Sequence, residues 1–370
     1  MRTAALEGRR ICVAVTPTLA LIRTLRSAAA PLWAQQPTPG VASISAPPPA
    51  RFDQFARTQA TENSKPGVRH APARDIAVPT QEVSPEAQAL IAGPYPPHMN
   101  ADPQNAAEWK ELINRRAALI VAALPGMEEK LGVTVQSAVI GGVKAFIVTP
   151  RVMPEANRNR LLVHVHGGGY VFQPGEAALP EAVMMAGFGG FKVISVDYRM
   201  PPDFPYPAAM DDALAVWKAA ATMADPKNMA IFGTSTGGGM TLAMVLRAKA
   251  EGLPQPGAIA PGTPWSDLTD TGDTYRSNEW VDNVLVSWDG WLGRAAKLYA
   301  AGHDLRDPQL SPIYGDFHDF PPTIDVGAGI RLVGLRSAVR LLSIHAVQAQ
   351  RRSLPPHSAG PLPCYELARV

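Results

Sequence analysis

The stretch IFGTSTGGGM, residues 231–240, sets one serine, Ser235, between threonines inside a run of glycines. The apolar residues before it (MAIF, 229–232) have strand character, and those after it (GGGMTLAMVLRAKAEG, 237–252) have helical spacing. Gly-x-Ser-x-Gly at a strand-to-helix turn lifts the serine hydroxyl above the carboxyl edge of a sheet. The flanking glycines supply the space and the unusual dihedral angles that so tight a turn needs. The helix N-terminus behind the serine points N–H groups at developing negative charge. The pentapeptide alone would also fit a glycine-rich junction with a bystander serine, so its surroundings decide.

Those surroundings alternate strands with helices. Strand patterns fall at VTVQSAVI (133–140), VKAFIVTP (143–150), RLLVHVHG (160–167) and FKVISVDY (191–198). A helical pattern follows at 207–223, then the strand before Ser235, its helix, and a further strand in GAIAPGTPW (257–265). PPTIDVGAG (321–329) reads as a late strand. This alternation predicts an α/β fold with a doubly wound, mostly parallel sheet. Two helical stretches precede the strands. SPEAQALI (84–91) opens with an N-cap serine and a proline at the first helical position. Residues 105–124 carry apolar side chains at helical spacing. Residues 277–302 read as helical or lid-like and hold three tryptophans.

A second motif gives Ser235 its partner. HVHGGGYVFQPG (164–175) also follows an apolar strand, and its three glycines leave backbone N–H groups unshielded, as an oxyanion hole needs. His166 precedes this loop and is read as shaping it by hydrogen bonding rather than as a base. His164, alternating with it, is read as a core residue.

With HGGGY, SVDYRMPPDFPYPAAMDDAL (195–214), GTSTGG, GTPWSDLTDTGDTY (262–275) and DPQLSPIYGD (307–316) falling in that order, the chain resembles the bacterial hormone-sensitive-lipase family of α/β-hydrolases. The resemblance runs from about residue 84 to 323. It implies hydrolysis of short-chain carboxylic esters with no cofactor and no metal, and a small-molecule ester as the partner. It makes Ser235 the nucleophile and the backbone N–H groups of Gly167, Gly168 and Thr236 the oxyanion hole. It makes 84–125 and about 278–301 a helical cap within a hydrolase domain spanning 84–330. Thr234 and Thr236 stand where the commonest members have Asp and Ala. Trp109, Trp280, Trp288 and Trp291 could line an acyl pocket, but tryptophans at helical spacing are more often core.

The family order is Ser, then Asp, then His. The expected position of the acid falls near Arg331, and between Asp325 and Glu366 there is no carboxylate. Asp325 is the nearest candidate acid, although it sits within the late strand pattern. Of the histidines after Ser235 (His303, His318, His345 and His357), His357 lies nearest the family's place for the base. Residues 331–370 are an atypical tail rich in Arg, Leu, Ser, Ala and Pro, the usage of a GC-rich gene read out of frame. A frameshift near Ile324 is therefore the expectation for this tail, with loss of the last strand and helix. A catalytically impaired binding protein and an amidase on the same scaffold are the rival readings.

Composition narrows the class further. A hydrophobic content of 46% supports a large core, and a net charge of +2 without a basic, aromatic-interleaved stripe argues against a nucleic-acid binder. No apolar run reaches the roughly 18 residues of a membrane span. Two cysteines, Cys12 and Cys364, do not make a disulfide framework. Residues 1–34 read as a signal peptide, which would place the protein in the periplasm or outside the cell. A mis-assigned start would leave it in the cytoplasm. Residues 35–83, rich in Pro, Ala and Ser, read as a linker.

Overall fold

Strand β1 (Val133–Ile140) and strand β2 (Val143–Pro150) pair in antiparallel register across the turn Gly141-Gly142. The computed structural model describes residues 84–324, apart from residues 100 and 273. Before this hairpin lie α1 (Pro85–Ile91) and α2 (Ala106–Leu131). The Ser84 hydroxyl accepts from the Ala87 N–H, so the expected cap forms. Asn105 caps α2 in the same way through the Glu108 N–H. Helix α2 runs past Pro125 to Leu131, seven residues beyond the pattern read from the sequence. Pro125 and Gly126 are exposed, so water can serve the carbonyl that the proline leaves without a donor.

Beyond the hairpin come β3 (Leu161–Val165), α3 (Leu179–Gly189), β4 (Lys192–Val196), α4 (Ala208–Met223), β5 (Met229–Thr234), α5 (Thr236–Ala250) and β6 (Ala258–Gly262). The six strands form one sheet in the order β1-β2-β4-β3-β5-β6. β2 meets β4 antiparallel, and β4, β3, β5 and β6 run parallel. The start of the late strand is visible: Thr323 bridges Ile259 in parallel, and Ile324 N–H donates to the Ile259 carbonyl at 3.0 Å. The expected doubly wound, mostly parallel sheet is thus present.

The strands alternate between two cores, as period-2 side-chain placement requires. Val163, Val165, Ile194, Val196 and Ile231 face the layer that holds α4 and α5. Leu162, Val193 and Phe232 face the layer that holds α3, with Val148 and Leu179. The odd and even positions of β3 and β5 therefore point to opposite sides, and this decides which helix each polar residue meets.

Residues 277–302 are not one helix. A short helix α6 (Thr274–Ser277) precedes irregular chain, a wide turn at Trp288–Leu292 kinked at Gly290, and helix α7 (Gly293–Ala300). This region is tied to the N-terminal helices. Asn283 donates to the Leu90 carbonyl at 2.7 Å, Tyr95 to that of Trp280 at 2.6 Å, and Arg294 pairs with Asp102 at 2.7 Å. Trp109, Trp288 and Trp291 are buried in the core, whereas Trp280 is half exposed. No helix among the described residues is long and apolar enough to cross a membrane.

Candidate active site

Ser235 sits between β5 and α5 with φ 60° and ψ −119°, a left-handed conformation in a residue that has a side chain. Three backbone hydrogen bonds hold it there. Its N–H donates to the Gly262 carbonyl at 2.9 Å, and its carbonyl accepts from Gly239 at 3.0 Å and Trp265 at 2.8 Å. The glycines around it are demanded by close approach. A side chain on Gly233 or on Gly237 would lie 2.0 Å from the Val165 carbonyl oxygen. β3 therefore crosses directly against the turn, and its glycine loop meets the serine.

Within that loop, a Cβ on Gly167 would stand 2.6 Å from the Thr234 carbonyl oxygen and 3.4 Å from the Ser235 Cβ. Gly168 has φ 112° and its carbonyl accepts from Val171 and Phe172. The N–H groups of Gly167 and Gly168 donate to no described residue. Thr236 opens α5, so its N–H has no acceptor within the helix. The sequence thus places Gly167, Gly168 and Ser235 around one cavity of about 390 Å³, with Gln173, Glu181 and Met184 also in its walls. A larger cavity of about 700 Å³ lies by Lys110, Asp203 and Arg199, away from Ser235. Its charges are matched internally, Lys110 with Asp203 and Arg199 with Asp212, each at 2.8 Å.

The histidines near the loop do not touch the serine. Tyr198 stacks on His166 at 4.1 Å between ring centroids and donates to the His166 carbonyl at 2.7 Å. His166 Nδ1 lies 2.7 Å from the Gly167 carbonyl. Burial pushes its pKa down to about 3, so the ring is neutral and shapes the loop. His164 lies opposite Ser195 in the β3–β4 register and contacts its hydroxyl at 2.9 Å through Nδ1. Its Nε2 meets Glu181 at 3.1 Å. Thr234, on the same face of β5 as Phe232, donates to the other Glu181 oxygen. Burial opposes ionisation of Glu181, but the hydrogen bonds from His164 and Thr234 outweigh it and hold the carboxyl below its ordinary pKa.

His303 packs edge-on against Tyr206, and His318 pairs with Asp319 at the surface. Neither joins Ser235. The expected acid Asp325 and the expected bases His357 and His345 lie outside the described residues. So do the leader, the linker and the atypical tail. No cluster of metal-ligand type occurs among the described residues.

Sequence reasoning missed Glu181. It is one acid near the start of a helix, 54 positions before Ser235, and nothing local marks it. The one available signal was Thr234, standing where the resemblance leads one to expect an acid.

Comparison with known proteins bears on the fold and the family. Residues 162–336 match the α/β-hydrolase fold family. The structure of esterase E25 superposes with a TM-score of 0.70 at 34% identity, covering 74% of this chain and 86% of that one. The chain belongs to the hormone-sensitive-lipase family of α/β-hydrolases. An acetyl-hydrolase of Streptomyces hygroscopicus is 31% identical over 179 residues, which are 48% of this chain and 59% of that protein. Hormone-sensitive lipase of Bos taurus is 31% identical over 165 residues, 43% of this chain and 22% of its own length. The match thus spans about three-fifths of the bacterial acetyl-hydrolase and a smaller part of the mammalian lipase.

Proposed function

We propose that the chain is a serine hydrolase of short-chain carboxylic esters. Ser235 attacks the ester carbonyl, and the N–H groups of Gly167, Gly168 and Thr236 hold the oxyanion. The alcohol leaves, and water then releases the acyl group from Ser235. His357 is assigned as the general base, with Asp325 as the candidate acid beside it. Residues 84–125 and about 278–301 form a cap over the acyl pocket.

One observation carries this reading: Ser235 is held at φ 60° with the Gly167–Gly168 loop packed against it. Strain of this kind persists where the surroundings enforce it, and it clusters at reactive sites. A fluorophosphonate ester tests the reading directly. The expected result is a stoichiometric adduct mapped by mass spectrometry to the peptide carrying Ser235. A folded protein that acquires no adduct would overturn it.

The rival reading, a binding protein with an incomplete triad, is favoured by one observation. No described histidine hydrogen bonds to Ser235: His164 and His166 are both engaged elsewhere. It predicts reversible binding of the phosphonate without labelling.

A further inference from the structure

Glu181 is a carboxylate that the proposed chemistry does not use, in a wall of the cavity that contains Ser235. Three elements fix it. It stands in the first turn of α3, where the helix dipole favours negative charge. His164 of β3 holds one oxygen and Thr234 of β5 holds the other. The Thr234 backbone N–H adds to these hydrogen bonds, so the carboxylate is held as an anion. The side chain is 27% exposed and lines the cavity. Among the described residues no lysine or arginine lines that cavity. A negative charge held in the wall of that cavity acts on whatever enters.

We propose that Glu181 is a specificity-determining residue, selecting ester groups that carry a positive charge over their uncharged isosteres. The inference deepens the reading of Ser235 as nucleophile, because it concerns the same cavity. It does not require turnover, and this allows the two to be tested apart. At contact distance a carboxylate near a protein surface attracts a cation enough for several-fold selection. The position of Thr234 fits this assignment. A threonine there donates to Glu181 instead of bringing an acid of its own, so the carboxylate stands on α3.

The test uses the full chain with Ser235→Ala, so that esters bind without reacting. Affinities are measured by calorimetry for the butyrate ester of choline and for that of 3,3-dimethylbutanol, its uncharged isostere. The expected result is that Glu181→Gln lowers the choline-to-isostere affinity ratio about fivefold. A purely structural role would weaken both ligands alike, and an unchanged ratio would overturn the proposal. If the glutamine variant fails to fold, salt makes the same measurement on the Glu181 protein. The ratio should fall between 20 mM and 500 mM sodium chloride as the charge is screened, and a ratio indifferent to salt would overturn the proposal. Hydrolysis of the same two esters by the chain with Ser235 intact reports separately on the nucleophile.

Discussion

At Ser235 the chain keeps a side chain in backbone territory that glycine prefers, at a cost of about 1–3 kcal/mol. The hydrogen bonds from Gly239 and Trp265 to its carbonyl, and from its N–H to Gly262, offset that cost. Two buried histidines are held neutral by their surroundings. His166 is buried and neutral, and His98, buried against Phe172 and Trp291, is likewise pushed down to about 4 by burial and by Arg116. Their ordinary value is 6.5. The unfolded chain therefore binds protons below pH 6.5 that the native protein refuses, so stability falls as pH drops through that window and levels off only near pH 3. From pH 7 to pH 5 the free energy of unfolding should drop by roughly 2 kcal/mol for each histidine. Urea titrations of the native chain and of His166→Gln check this. The variant should lose one share of the pH dependence, and an unchanged slope would contradict the account.

At the scale of elements, the turn between β5 and α5 works because β3 passes directly against it. Gly237→Ala would drive a methyl group to 2.0 Å from the Val165 carbonyl, a backbone atom that cannot swing aside. We expect a loss of about 3 kcal/mol in urea-induced unfolding. A second support lies after β4, where Asp212 of α4 accepts from the Arg199 backbone N–H at 2.8 Å and from its guanidinium. Asp212→Ala should cost about 2 kcal/mol, most of it from the stranded backbone donor. These elements were largely legible in the sequence. Strands of mostly apolar character such as LLVHV and KVISV stand within a residue or two of their expected ends. The helix caps at Ser84 and Asn105 carry their own local signal. Two elements were not legible for the same physical reason, that their outcome is set by partners remote in sequence. Helix α2 crosses Pro125 because Leu124 packs into the α3-side core while the proline faces water. The tryptophan segment breaks at Gly290, where a Cβ would strike the Met99 carbonyl at 2.4 Å. Of the site, Ser235 and the glycine loop could be read from local motifs. Glu181 could not, because only the register of β3 and β5 brings His164 and Thr234 to it.

For the whole molecule, the question is what reaches Ser235 from outside the described core. The parallel strands end on one edge, and that edge carries the serine and the glycine loop, as α/β sheets place their ligand sites. The missing partners are a base and an acid, which the proposed function draws from His357 and Asp325. His357→Ala should then lower turnover by a factor of about 10⁴–10⁶, while His345→Ala leaves it close to that of the unsubstituted chain. Equal turnover in the His357 variant would remove that histidine from the mechanism. Mass spectrometry of the intact protein would establish whether residues 331–370 have this composition.

The central claim, that Ser235 is the working nucleophile of an esterase, meets its most direct test in the hydrolysis of p-nitrophenyl butyrate. The purified chain and its Ser235→Ala variant are compared at equal concentration, with circular dichroism to establish that both are folded. The account predicts clear turnover by the chain and a loss of about 10⁴-fold or more in the variant. Equal rates in the two proteins, or no turnover by the folded chain, would contradict it.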